Sequence, residues 1–132
     1  MIFLDTSLVY ALADQRDQFH QVARGRFETA LQSRRALVTH SYVLVESMAL
    51  LQRRLGLQAA LQFSRDASAF EIEWVSAALH REAVRALAAG AGTTLVDQVS
   101  FAVMRRRGIG EALTLDTDFV TAGFRLFGAD AS

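Results

Sequence analysis

Short apolar runs that stop at a polar residue alternate along this chain with longer stretches of helical periodicity. That alternation is what most restricts the fold. Ile2-Phe3-Leu4 ends at Asp5, Ala36-Leu37-Val38-Thr39 precedes a long apolar stretch, and Ala112-Leu113-Thr114-Leu115 ends at Asp116. Runs this short and β-rich read as buried strands. Residues 6–14, 18–35, 41–54, 57–68, 77–89 and 95–107 read as helices; in the second, Phe19, Val22, Ala23, Phe27, Ala30 and Leu31 recur at helical spacing. Phe70 to Val75 suggests an edge strand, and Phe124 to Phe127 adds a fifth. Strands separated by helices imply a mainly parallel sheet of four to five strands with helices on both faces, a three-layer α/β/α arrangement. Sites in such sheets lie beyond the carboxyl ends of the strands.

The 132 residues fit one domain, 1–132, and 52% hydrophobic content is enough for a real core. There is no Cys, hence no disulfide framework and no thiolate metal site. All 14 basic residues are Arg, which removes Schiff-base and P-loop lysine chemistry. They balance 14 acidic residues, so nucleic-acid binding requires a local patch rather than global charge. No apolar run reaches the roughly 18 residues of a membrane span. The segment Met1 to Ser7 has no basic start of the kind that opens a signal peptide. A cytoplasmic protein without membrane attachment is therefore expected.

Two segments are alike. Ile2-Phe3-Leu4-Asp5-Thr6 and Leu113-Thr114-Leu115-Asp116-Thr117 both end a strand in Leu-Asp-Thr, which places Asp5 and Asp116 on one rim. An Asp there either serves a site or starts a turn. Glu46 is the one charge between Arg35 and Arg53, in a helix apolar almost all round. Burying it requires compensation; the alternative is a narrow solvated stripe or an Arg partner. Thr94-x-x-Asp97 has capping-box spacing, and an acid in the first helical turn also projects off the sheet rim. If these four carboxylates converge, their repulsion demands a cation, and oxygen-only ligands select Mg²⁺ or Mn²⁺.

At these residues the chain resembles the PIN-domain family, and within it the VapC toxins of bacterial toxin–antitoxin pairs. The match is carried by Ile2 to Ser7, by Val45-Glu46, by Thr94 to Met104, and by Leu113 to Phe119 followed by Ala122-Gly123-Phe124. Asp17-Gln18-Phe19-His20 is similar to a stretch common early in these toxins. The resemblance implies a Mg²⁺-dependent endoribonuclease that leaves 5′-phosphate and 3′-hydroxyl ends. Its acidic positions fall on Asp5, Glu46, Asp97 and Asp116. Asp5 and Asp97 would hold the metal directly, Glu46 and Asp116 through water or a second ion. Position 118, often His in the family, is Asp here, and Asp118 is either a fifth acidic group or a helix cap. Thr6 and Ser7 either orient Asp5 or cap the first helix. An RNA substrate, a cognate antitoxin and a homodimer are the partners implied.

Arg105-Arg106-Arg107 and Arg53-Arg54 end helices, where cations are favoured by the helix dipole; the first group is also a candidate RNA-contacting patch beside the acidic site. His20, His40 and His80 lack metal-ligand spacing and read as structural. Trp74 and the nine Phe read as mostly core. Two other functions remain in view. One is a PIN-fold RNA binder without cleavage. The other is a haloacid-dehalogenase-type phosphatase, suggested by Asp116-Thr117-Asp118 but requiring a long domain after it, where fourteen residues follow Asp118. A phosphate-accepting receiver module would want a late lysine, and the chain has none.

Overall fold

The run Ile2–Leu4 is strand β1, and it lies in the middle of the sheet. Leu37–His40 (β2) and Glu71–Glu73 (β3) flank it on one side, Glu111–Leu113 (β4) and Arg125–Leu126 (β5) on the other. Every neighbouring pair is parallel. This computed structural model describes residues 1–90 and 92–129. The helices are α1 (Thr6–Ala13), α2 (His20–Gln32), α3 (Ser41–Leu55), α4 (Leu57–Asp66), α5 (Ala77–Ala88), α6 (Leu95–Arg107) and α7 (Asp118–Thr121). The expected three-layer architecture is therefore present, with all five strands parallel. No described helix is long and apolar enough to cross a membrane.

Alternation along β1 divides the core in two. Phe3 packs with Val38, Val99, Met104 and Phe119 on one face; Ile2 and Leu4 pack with Leu8, Leu51, Leu113 and Phe127 on the other. Asp5 continues the extended backbone at φ −102° and ψ 155°, so it falls on the Phe3 side, the side of α6.

Several expectations change. The helix expected over 18–35 is shorter. At its start Asp17 accepts the Phe19 N–H in a local turn; past its end Arg34 adopts a left-handed φ of 59°. Strand β4 stops at Leu113 because the Leu115 N–H leaves the ladder to donate to Ser7 Oγ. A short helix, α7, does start at Asp118, as the helix-cap reading of that residue implied, but Thr117 occupies the cap position. Helix α3 is not buried all round: Ser41, Val43, Ser47 and Leu51 face inward, while Val45 is 63% exposed and Glu46 lies on the same solvated side. Trp74 is not core either. It is 69% exposed because β3 is an edge strand that ends at Glu73.

Candidate metal centre

Strand order decides where a site can form. From β1 the chain builds β2 and β3 on one side, then crosses to β4 on the other. The carboxyl ends of β1 and β4 thus border a topological switch point, the usual crevice for ligands in open parallel sheets. Asp5 stands there, with its N–H donating to Leu113 O at 3.0 Å.

Asp5 is buried and held by a hydroxyl web. Ser7 Oγ and Thr114 Oγ1 each donate to its Oδ2 at 2.8 Å. Both hydroxyls also accept: Ser7 Oγ from the Leu115 N–H at 2.9 Å, Thr114 Oγ1 from the Asp116 N–H at 3.0 Å. One carboxylate oxygen therefore organises the turn after β4. Burial pushes the Asp5 carboxyl up to about 6; the Thr114 and Ser7 hydroxyls oppose the rise, and the Asp97 charge adds to it.

Asp97 does two jobs. Thr94 Oγ1 accepts the Asp97 N–H at 3.2 Å, and the Thr94 N–H donates to Asp97 Oδ2 at 3.3 Å, a complete capping box at the start of α6. The same carboxyl is raised above its ordinary value, chiefly by burial, against the lowering effect of the Thr94 N–H and with added repulsion from Asp116 and Asp118. Asp116 Oδ1 in turn accepts the Asp118 N–H at 2.9 Å, which folds the turn that starts α7. Asp97, Asp116 and Asp118 each bring one carboxylate oxygen to within 4.8 Å of the others. Three hard anionic oxygens so placed, with Asp5 close enough to feel Asp97, fit a divalent cation of the Mg²⁺ or Mn²⁺ kind.

The sequence-derived set divides here. Asp97 and Asp116 converge, and Asp118 joins them as an acidic group. Asp5 adjoins the trio without belonging to it. Glu46 is on the exposed side of α3, so the solvated-stripe alternative holds and burial does not. Ser7 orients Asp5, whereas Thr6 accepts from Ser47 Oγ and so ties α1 to α3. Thr114, which is fully buried, was missed; the one hydroxyl in the apolar run Ala112-Leu113-Thr114-Leu115 was the signal. Arg105, Arg106 and Arg107 sit at the far end of α6. Arg107 bonds Glu71 at 3.0 Å and Glu73 at 2.8 Å, Arg106 pairs with Glu73, and Arg105 lies over the rings of Phe101 and Phe124. Along α6 the patch stands roughly 13 Å from Asp97; Arg106 and Arg107 are engaged by β3, while Arg105 Nη2 donates to Ala122 O at the end of α7 at 3.3 Å.

A model of the PIN domain matches residues 2–125. The chain belongs to the PIN-domain family. VapC20 of Mycobacterium tuberculosis, named a 23S rRNA-specific endonuclease, is 36% identical over 128 residues, 94% of this chain and 95% of that protein, in strains CDC 1551 / Oshkosh and ATCC 25618 / H37Rv alike. The crystal structure of M. tuberculosis VapC20, described as a sarcin–ricin-loop-cleaving toxin, matches with a TM-score of 0.81 at 35% identity, covering 94% of this chain and 96% of that one. Within the family the chain stands with the VapC toxins. PIN domains are metal-dependent nucleases, and the convergent aspartates are a cluster that could hold a metal ion. The phosphatase alternative is thereby displaced.

Proposed function

We propose that the protein is the toxin of a toxin–antitoxin pair, a Mg²⁺-dependent endoribonuclease that acts in the cytoplasm on 23S ribosomal RNA. The observation that carries this reading is the convergence of Asp97, Asp116 and Asp118 beside buried Asp5 at the switch point of a PIN-family sheet. The substrate follows from the named activity of VapC20 at 36% identity across nearly the whole chain.

Asp97, Asp116 and Asp118 would hold the cation, with Asp5 next to them. Such an ion, when bound, lowers the pKa of water and offsets charge on the phosphate during in-line attack. The chain supplies the rest. Ser7 and Thr114 fix one oxygen of Asp5 and so set the orientation of its carboxylate beside the trio. With a carboxyl near 6, Asp5 can exchange a proton close to neutral pH. Glu46, apart from the trio, acts from the solvent side through water or a second ion.

An antitoxin and a second copy of the chain belong to the same reading. A groove of about 700 Å³ between α1, α2 and α4, lined by Val9, Leu12, Phe27, Phe63 and Phe70, is wide and apolar enough to seat a partner helix. Exposed Val45, Leu57 and Leu61 on α3 and α4 support pairing of two copies.

The test is cleavage of 23S ribosomal RNA by purified protein, with cut sites mapped by primer extension. Mg²⁺ should be required, and Asp97→Asn should abolish the cut. Full activity in excess chelator, or in Asp97→Asn, would sink the metal-nuclease reading. Cleavage confined to another RNA would overturn only the substrate.

A further inference from the structure

We propose that Arg26 grips a phosphodiester of the RNA beside the acidic cluster; the proposal rests on the ribonuclease reading. Arg26 lies on α2 between Ala23 and Ala30, both fully buried, so a charged side chain occupies the inward stripe of the helix. A guanidinium there is costly unless its head reaches polar ground. It does: Nη1 donates to Thr114 O at 3.2 Å, and the hydroxyl of that same Thr114 donates to Asp5 Oδ2 at 2.8 Å. The cation is thus one residue removed from the most deeply buried carboxylate of the site. Gly128 makes room for its stem. A Cβ there would stand 2.9 Å from Arg26 Cγ and 3.3 Å from Arg26 Cβ, and the φ of +79° also favours glycine.

What Arg26 lacks is a carboxylate. Arg24 pairs with Glu28, Arg35 and Arg125 with Glu111, and Arg106 and Arg107 with Glu73. Among the described residues Arg26 has no ion pair, and its hydrogen bond to Thr114 O engages one of the five guanidinium N–H groups. A cation held by Asp97, Asp116 and Asp118 would offset charge at the scissile phosphate itself, whereas the next phosphate along the strand needs a cation of its own. A planar guanidinium at the edge of the cluster supplies that charge, and its fork matches two phosphate oxygens. The ligand is therefore a phosphodiester of the RNA strand whose scissile bond lies over the aspartates.

The experiment measures binding of a 23S rRNA hairpin carrying the sarcin–ricin loop to the cleavage-silent Asp97→Asn protein, at fixed Mg²⁺ and several salt concentrations. Adding Arg26→Gln should weaken binding roughly tenfold. It should also flatten the dependence of log K on log salt by about 0.7–0.9, the counterion share of one phosphate. Arg26→Lys should keep the slope and lose part of the affinity, because the charge remains and the fork does not. Unchanged affinity and slope in a folded Arg26→Gln variant would overturn the proposal and leave the nuclease reading intact. If Arg26→Gln fails to fold, Arg26→Lys decides: weaker binding at an unchanged slope supports the contact, and full affinity overturns it. Absence of hairpin binding by the Asp97→Asn protein itself would overturn both the contact and the substrate.

Discussion

Asp5 is pulled in opposite directions by its surroundings. Burial and the Asp97 charge favour the neutral acid; two hydroxyl donors favour the carboxylate. Removing a donor should therefore push the carboxyl higher still. Thr114→Val deletes the 2.8 Å bond to Oδ2, and less of the charged form is then present at pH 6. The expected result is a loss of cleavage of roughly tenfold at pH 6, where a bond to a charged group worth about 1.5 kcal/mol or more has gone, and a smaller loss at pH 8. A pH–rate profile checks this; an acid limb that does not move refutes the role of Thr114. A second contrast separates Asp118 from Glu46. Asp118 is one of the three convergent carboxylates, whereas Glu46 is exposed on α3. Titration calorimetry with Mg²⁺ should show Asp118→Asn weakened roughly tenfold, the order of one lost charge-assisted contact, and Glu46→Gln nearly unchanged.

At the scale of elements, the start of α3 ties the sheet to the helix that carries Asp97. The Ser41 hydroxyl accepts the Val75 N–H and so ties the start of α3 to the end of β3. His40 is the cap: Nδ1 accepts from the Tyr42 and Val43 N–H groups at 3.2 and 3.3 Å. An accepting Nδ1 places the proton on Nε2, which donates to Ser100 Oγ at 2.9 Å; Ser100 then donates to Val96 O at 2.9 Å. Loss of a cap combined with a cavity in the core should make His40→Ala destabilised by about 3 kcal/mol in urea melts. At the other end of α6, Gly108 adopts φ 69°, and the next N–H, that of Ile109, bonds Met104 O at 2.8 Å. Gly108→Ala should cost about 1 kcal/mol by the same measurement, since a Cβ is disfavoured in that conformation.

At the scale of the whole molecule, Asp5 and His40 set opposing pH dependences in the metal-free protein. Asp5 rises from 3.8 to about 6, so the folded state binds more protons than the unfolded state between those values. Its contribution is present below pH 3.8 and is lost as pH rises through about 6, a swing of about 3 kcal/mol. His40 is pushed down by burial from 6.5 to about 4, so there the unfolded state binds more protons. Stability from that group falls as pH drops from 6.5 towards 4, again by about 3 kcal/mol. The two nearly cancel, and the raised Asp97 carboxyl adds to the Asp5 side, so stability in chelator should fall gently as pH rises from 4.5 to 6. Asp5→Asn should tilt the curve so that stability increases with pH, and His40→Gln should tilt it the other way. Denaturant melts at three pH values decide, and parallel curves for both variants would contradict the assignment.

Alternation of strand and helix is a local property, which is why the order of elements and the parallel sheet were legible in the chain. A helix between two strands returns the chain to the same end of the sheet, so Asp5 and Asp116 had to share a rim. The Thr94-x-x-Asp97 spacing likewise announced its cap, because a cap is made within one turn. Which carboxylates meet is a different matter. Asp118 enters the cluster because its own N–H folds back onto Asp116, in a turn held by the Ser7 hydroxyl reaching across from α1. Glu46 looked buried because its neighbours are apolar, yet a helix lying on a sheet shows one side to water whatever its average polarity. Trp74 reached solvent because strand order left β3 at an edge. Periodicity records that a face is buried; it does not record what the face is buried against. That depends on contacts between residues far apart in the chain, and only packing chooses among them.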